Sequence, residues 1–389
     1  MLNKIKENDV ELFLVLFGSD WIDGKNISKE QIDMDYKKLF AKVFHYPKKR
    51  DHSSLFGKNI DIDDAYEDGL GEYISNICKD YKIDIYLHNY IFQSKVFEFL
   101  PYSVIKILDT HDKFKDKYKL AKWYSYSEEE ESKGISRADI ILSIQDEEKK
   151  YFESITNKEV VTVGHLSESN FLDKEYENLK VIGIISSGHI RDFLAVEKFI
   201  QKFIEVVPED LTLNIAGMVC EKLEPLYKHP QINYLGLVND LRDFYESINL
   251  CVIPPEDGTG LKIKSVEALS YGVPIISTKH GFIGIKSNEK FHQADSVDEL
   301  LSYIQEIKDN NNLLKDLKKS TEKVFNIYQS EVQNKLDEIV LTATKKQIIR
   351  LKQELEQKQK IIQEKNKELN EKQNIIDLKT KELEEKNRL

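Results

Sequence analysis

The stretch Pro254-Pro-Glu-Asp-Gly-Thr-Gly-Leu-Lys-Ile-Lys-Ser-Val-Glu-Ala-Leu-Ser-Tyr-Gly-Val-Pro-Ile-Ile-Ser-Thr278 most restricts how this chain folds. Leu250–Ile253, just before it, is a short apolar run that reads as a buried strand. Gly258 and Gly260 open loop conformations closed to other residues and let a ligand approach the main chain. Leu261–Tyr271 has helical periodicity, with Leu261, Val266, Ala268 and Leu269 as its apolar face. Gly272 and then Pro274 give the usual helix stop, and Ile275–Ser277 begins another strand.

A helix N-terminus offers unpaired N–H groups and the positive end of the helix dipole, so this loop-to-helix junction suits a phosphate. Lys262 and Lys264 add positive charge beside it. Glu267 lies three residues after Lys264 and shares its helix face. A carboxylate there can accept two hydrogen bonds from a ribose diol, as acidic residues do in dinucleotide sites. The set therefore fits a nucleoside diphosphate. The alternative is a surface helix whose Lys264–Glu267 pair is worth a few tenths of a kcal/mol. The glycines on either side of the helix favour the site.

Strands and helices alternate through most of the chain, which predicts an α/β fold with parallel sheets covered by helices on both faces. In the first half the strands are expected at Leu12–Phe17, Lys42–His45, Ile83–Leu87, Ser103–Leu108, Ile140–Ser143 and Val160–Val163. Helices are expected at Tyr66–Lys82 and Asp146–Ser154. The pattern restarts at Val181–Ile185 and continues at Leu211–Ile215, Ile232–Tyr234, Leu250–Ile253 and Ile275–Ser277. The 389 residues suit two ordinary domains plus an extension. The polar stretch Ser167–Asn178 marks the boundary, giving domains at 1–170 and 171–329. Lys308–Leu341 reads as helical.

From Thr342 onward thirteen Lys/Arg face nine Asp/Glu, so the tail is +4 and the remainder about −15 of the net −11. An acidic body is a poor match for nucleic acid. Cys78, Cys220 and Cys251 are an odd number without metal-ligand spacing, which points to a reducing cytoplasm. Leu12–Phe17 is too short for a signal core and follows Glu7, Asp9 and Glu11, so it reads as a first strand. No apolar run approaches a membrane span.

Gly258-Thr-Gly-Leu-Lys-Ile-Lys264, Glu267-Ala-Leu and Gly272-Val-Pro-Ile-Ile together resemble the donor-site signature of the family 4 / group 1 glycosyltransferases. Leu108-Asp-Thr-His-Asp112, Arg137-Ala-Asp through Glu148, Leu213–Gly217 and Tyr234–Val238 resemble other segments of that family in the same order, so the likeness covers roughly residues 10 to 340. It implies a GT-B fold, two Rossmann-like domains facing a cleft: an acceptor domain, then a nucleotide-sugar donor domain. It also implies a helix near 330–341 returning to the first domain, and retention of anomeric configuration. Two departures stand out. Thr259 occupies the place of a glutamate that many members carry, and Phe17-Gly-Ser-Asp20 has only Gly18 where the family often pairs glycines.

The expected site therefore comprises Gly18, Asp112, Arg191, Gly258, Thr259, Gly260, Lys262, Lys264 and Glu267 as substrate-binding residues, with His111 catalytic. His111 follows a buried strand whose C-terminal end should face the crevice. There it would orient the acceptor or hydrogen-bond the donor; the plainer reading is a capping turn. Arg191, in the glycine-bearing turn Ser186-Ser-Gly-His-Ile-Arg191, would help hold a diphosphate. His45 and His88 read as packed or exposed histidines, Glu128–Glu131 as a solvated helix start, and Asp61–Asp64 lacks a calcium-loop pattern.

No cofactor or metal is expected. The partners are a nucleotide-diphosphate-sugar donor and a glycan, lipid-linked or protein acceptor in cell-surface glycan synthesis. Two rival readings are a nucleotide-sugar epimerase of the same fold and a non-catalytic scaffold acting through its tail. That tail, 342–389, carries Leu341, Ile348, Leu355, Ile362, Leu369, Ile376 and Leu383 at strict heptad spacing. A strict heptad implies a left-handed coiled coil. The companion row, Lys345, Lys352, Gln359, Asn366, Gln373, Thr380 and Asn387, is polar. A homodimer through this tail, a lone solvated helix and a peripheral contact with the inner membrane face are all consistent with the pattern.

Overall fold

The computed structural model describes residues 10–18, 34, 36–115, 125–206, 208–257 and 260–386. Ser19, Asp20, Gly258, Thr259 and Asn387, each singled out in the sequence, lie outside the described residues.

The expected alternation is present. In the first half β1 (Phe13–Phe17) pairs with β2 (Lys42–Tyr46), and β3 (Ile85–Asn89), β4 (Ile105–Asp109), β5 (Ile140–Ser143) and β6 (Glu159–Thr162) form a second sheet in sequential order. Every pairing is parallel. Helices α1 (Leu70–Asp80), α2 (Glu128–Ile135) and α3 (Asp146–Ile155) lie along this half. The second half holds β7 (Val181–Ile185), α4 (Ile190–Val206), β8 (Thr212–Ala216), α5 (Cys220–Leu223), β9 (Ile232–Gly236), α6 (Leu241–Ser247), β10 (Leu250–Ile253), α7 (Ile263–Tyr271), β11 (Ile275–Ser277), α8 (Val297–Asp309) and α9 (Asn312–Lys386).

The sheet of the second half runs β11-β10-β7-β8-β9, again all parallel. The chain winds outward from β7 through β8 and β9, then returns to the other side of β7 with β10 and β11. The order reverses between β7 and β10, and the crevice beyond their C-terminal ends is where doubly wound sheets take ligands.

Several bounds differ from expectation for local reasons. Helix α1 starts at Leu70 and not Tyr66, because Gly69 takes a left-handed φ of 83° and the Tyr66 hydroxyl accepts the Gly71 N–H at 3.0 Å. Lys308–Leu341 is not one helix. It breaks at Asn310-Asn311, where the Asn311 side chain accepts the Leu179 N–H at 3.0 Å. Glu128–Glu131 is not wholly solvated. Glu131 is buried and accepts the Phe114 and Lys115 N–H groups at 2.7 and 3.1 Å and the Tyr151 hydroxyl at 2.6 Å.

Three apolar cores result. One lies in each half, and a third joins them: Ile105, Ile107, Ile140 and Leu142 from β4 and β5 meet Phe244, Ile253 and Leu269 from the second half and Phe325, Tyr328, Leu336 and Ile339 of α9. The three cysteines are buried and free. Among the described residues no helix is long and apolar enough to cross a membrane.

His292 makes the fold acid-sensitive. Its ring is fully buried, stacks on Phe282 at 4.2 Å, and burial pulls it down to about 3. An unfolded imidazole takes up its proton near pH 6.5, so between those values the unfolded chain binds more protons. The stability this group contributes is complete above that range and falls by about 1.4 kcal/mol per pH unit on acidification through it. Urea midpoints of the parent and His292→Gln, measured from pH 7 to 4.5, are expected to show the steeper loss in the parent. Parallel slopes would remove His292 from the acid response.

Candidate functional site

Two strand exits build the crevice. After β7 the chain passes through Ser186–His189 into α4; after β10 it passes through Pro254–Lys262 into α7. Both helices thus direct their N-terminal ends at the switch point, where N–H groups and helix dipoles favour an anion. Gly217, at the end of β8, keeps the first exit in place. It has a φ of 96°, and a Cβ there would stand 2.1 Å from the Ser186 carbonyl oxygen. The second exit is tied down by Glu256, which pairs with Lys198 and accepts the Val297 N–H at 2.9 Å.

Helix α7 begins with Lys262 as its N-cap, in extended conformation and with no side-chain cap. That leaves first-turn N–H groups to a ligand. Gly272 closes the helix with a left-handed φ of 67°, lying against Phe171 and the Glu322 side chain of α9. Val266, Ala268 and Leu269 are fully buried beneath the helix. Lys264 and Glu267 do not pair with one another. Lys264 pairs with Asp192 in the first turn of α4 and reaches Ser186 Oγ at 3.3 Å. Glu267 Oε1 accepts the buried Tyr245 hydroxyl at 2.9 Å. The surface-pair reading of this helix therefore fails, because each side chain is engaged elsewhere.

The electrostatics follow from crowding cations in a half-closed space. Burial pulls the Lys262 ammonium below the ordinary lysine value, against the attraction of Asp192. Arg191 lies near enough to lower Lys262 further by repulsion. Arg191 itself makes no hydrogen bond or ion pair among the described residues. Burial works to raise Asp192, but the Lys264 ammonium and the Ser187 hydroxyl outweigh it and hold the carboxyl below its ordinary range. Burial raises Glu267, opposed by Tyr245 and Lys264. Three cations, Arg191, Lys262 and Lys264, thus gather at the switch point, with Asp192, Asp257 and Glu267 as the carboxylates near them.

The first half meets this crevice through the exit of β5. A Cβ on Gly260, whose φ is 77°, would lie 3.7 Å from Glu148 Oε1 of α3, and one on Gly284 would lie 3.2 Å from Gln145 Cβ and 3.0 Å from Leu261 Cδ1. His111 stands just past β4, the neighbour of β5 in the same parallel ladder, so it occupies the same edge of the sheet. Its φ is 56°, and Tyr90, just past β3, has a φ of 65°. The two rings stack at 4.4 Å. His111 Nε2 lies 3.1 Å from Asn89 Oδ1 and 3.5 Å from Asp109 Oδ2. Burial pushes the Asp109 carboxyl up, and His111 opposes it. Two adjacent non-glycine residues with positive φ are strained backbone, which collects at functional sites. Burial raises the Tyr90 hydroxyl, and the nearby Asp112 and Asp109 carboxylates raise it further.

The structure thus brings together Arg191, Lys262, Lys264 and Glu267. It places His111, Asp112 and Gly260 along the facing edges. Gly18 turns the chain after β1 with a φ of 67°, its N–H bonded to the Tyr46 carbonyl at 2.9 Å. A Cβ there would lie 3.6 Å from Lys48 Cβ. Sequence reasoning missed Asp192, Ser186, Tyr245 and Glu148. Ser187 and Asp192 bracket the glycine turn as a capping pattern does, and that was the available signal; Glu148 only closes a segment resembling the family, and nothing in the sequence marks Tyr245. Among the described residues no group of three or more His, Cys, Asp or Glu is placed to hold a metal ion.

Residues 180–310 match the family described as glycosyl transferases group 1. Among solved structures, the chain is similar to HepE of Anabaena in complex with UDP and glucose, at 10% identity and a TM-score of 0.57, over 85% of this chain and 99% of that one. It is likewise similar to a glycosyltransferase from Rickettsia africae, at 11% identity and a TM-score of 0.56, over 86% and 98%. With the pneumococcal O-GlcNAc transferase GtfA in complex with UDP and GlcNAc it shares 15% identity and a TM-score of 0.50, covering 70% of this chain and spanning 60% of the length of GtfA. At these identities the likeness is one of fold, and the fold is GT-B. No curated protein sequence matches the chain.

Proposed function

We propose, from a chain whose residues 180–310 belong to the glycosyl transferases of group 1, that it moves a sugar from a nucleoside-diphosphate donor to a saccharide, lipid-linked or protein acceptor. The observation that carries this reading is the meeting of Arg191, Lys262 and Lys264 with two helix N-termini at the switch point. A departing nucleoside diphosphate gains negative charge as its bond to the anomeric carbon breaks. Fixed cations and N–H dipoles aimed at that charge stabilise the transition state without reorganising. Glu267, oriented by Tyr245, keeps Oε2 for a ribose hydroxyl. Lys264 is held ready by Asp192, and cleft closure would keep water from the donor.

In this reading residues 1–170 bind the acceptor and 171–329 the donor, 330–341 cross back, and 342–389 form an extension. Gly18, Asp112, Gly258, Thr259 and Gly260 contribute to substrate binding. His111 acts near the reacting bond, with retention of configuration. Tyr90 stacking and the Asn89 contact fix its ring.

A thermal-shift panel of nucleoside diphosphates and their sugar conjugates tests the donor assignment. One of them at a hundred times its Kd is expected to add about 2.7 kcal/mol of apparent stability. A flat response to every nucleotide would remove the donor site. On an acceptor that supports turnover, His111→Ala is expected to lower kcat at least tenfold, about 1.4 kcal/mol, with donor affinity unchanged. Equal turnover would leave His111 a structural residue.

A further inference from the structure

We propose that the outward face of α9, from Leu341 to Leu383, is a docking surface for a second copy of this chain, paired in parallel so that the two bodies stand at the same end of a shared coil. The helix is anchored first. Ile339 and Ala343 are buried against the body, Lys346 pairs with Glu159 at 3.2 Å, and Arg350 engages Asp139. At 3.6 residues per turn these four lie roughly 140–200° around the helix from Leu341. The heptad row therefore starts on the side facing away from the body while the helix is still docked. Its seven members are each between 46% and 66% exposed. A second helix can approach from Leu341 onward with its own body on the far side.

Charge selects the partner and its direction. With Leu341, Ile348, Leu355, Ile362, Leu369, Ile376 and Leu383 at the d positions, the polar companion row falls at a. The flanking g row is then Leu351, Lys358, Lys365, Lys372 and Lys379, and the e row is Glu356, Gln363, Asn370 and Asp377. In a parallel pair each g residue meets the e residue five positions on in its partner, so Lys372 meets Asp377 and the g lysines meet no lysine; Lys345 and Lys352, at a, face their own copies and weaken only the first two layers. An antiparallel pair would set the lysine row against itself. Asn366 at an a position fixes register and favours two strands, at a cost in stability. An untwisted helix would let the row drift about 20° per heptad, so pairing must supercoil it to the left.

The test uses full-length chains with one new cysteine each, Gln359→Cys or Thr380→Cys, both at a positions. The three native cysteines are buried. Under mild oxidation each variant alone is expected to form a disulfide-linked dimer, a mixture of the two is expected to form no 359–380 cross-link, and light scattering of the parent at tens of micromolar is expected to give twice the monomer mass. Cross-links found only in the mixture would overturn the parallel arrangement. A monomeric parent, a trimer, or a dimer in which neither cysteine reacts would overturn the docking surface itself.

Discussion

Lys264→Ala is expected to weaken nucleoside-diphosphate binding about a hundredfold, the upper end of what one charge-assisted hydrogen bond supplies (about 1.5–3 kcal/mol). The surroundings decide where in that range the effect falls. Lys264 is pre-positioned by Asp192 and Ser186, so binding need not order it. Removing it also leaves the Asp192 carboxylate facing the diphosphate without its counter-charge, and repulsion adds to the lost attraction. The double variant Lys264→Ala/Asp192→Asn should therefore recover part of the loss, a coupling that the double-mutant cycle measures. Glu267→Ala should cost less in nucleotide affinity, on the order of tenfold, because of its two contacts only that to the ribose touches the nucleotide; the Tyr245 hydroxyl it also releases bears on stability. Calorimetric titration of five proteins, the parent, Lys264→Ala, Asp192→Asn, their double variant and Glu267→Ala, checks this. A folded Lys264→Ala that binds nucleotide like its parent would place the donor site elsewhere.

Arg350→Ala is expected to destabilise the chain by about 3 kcal/mol and to loosen α9 from the first half. The Arg350 guanidinium is bidentate on Asp139, at 2.5 and 3.0 Å, and donates to the Tyr102 and Val104 carbonyls at 3.0 and 3.1 Å. It also lies 4.9 Å from the Tyr102 ring centre. Both side chains are mostly shielded, at 18% and 14% exposure. Deleting one member of such a pair leaves the other desolvated and uncompensated. Arg350→Lys should rescue little, since an ammonium cannot reproduce the planar fork. Urea unfolding gives the magnitude, and hydrogen exchange along α9 gives the place, with protection lost beyond Ala343. Unchanged stability and exchange would mean that the apolar core alone holds the helix.

Much of this was legible in the residues because it depends on local pattern. Alternating apolar runs and helical faces determined the parallel α/β architecture, since period and length fix each element before packing begins. Each expected strand lies within two residues of an observed one. Lys262, Lys264 and Glu267 were found because a glycine loop running into a helix start has its own chemistry, whatever surrounds it.

Partnership was not legible. Lys264 and Glu267 sit three apart and invite a pair, yet Lys264 reaches across the switch point to Asp192 and Glu267 takes Tyr245 from α6. The order of strands decides that, and order is a property of the sheet. Glu131 looked like one acid in a run of four until the fold wrapped the Phe114–Lys115 N–H groups and Tyr151 around it. The heptad row was plain in the sequence, but which way it faced was not. Only the docking of Ile339, Ala343 and Arg350 turned Leu341 outward, because a helix can offer to a partner only the side that its own domain has not already covered.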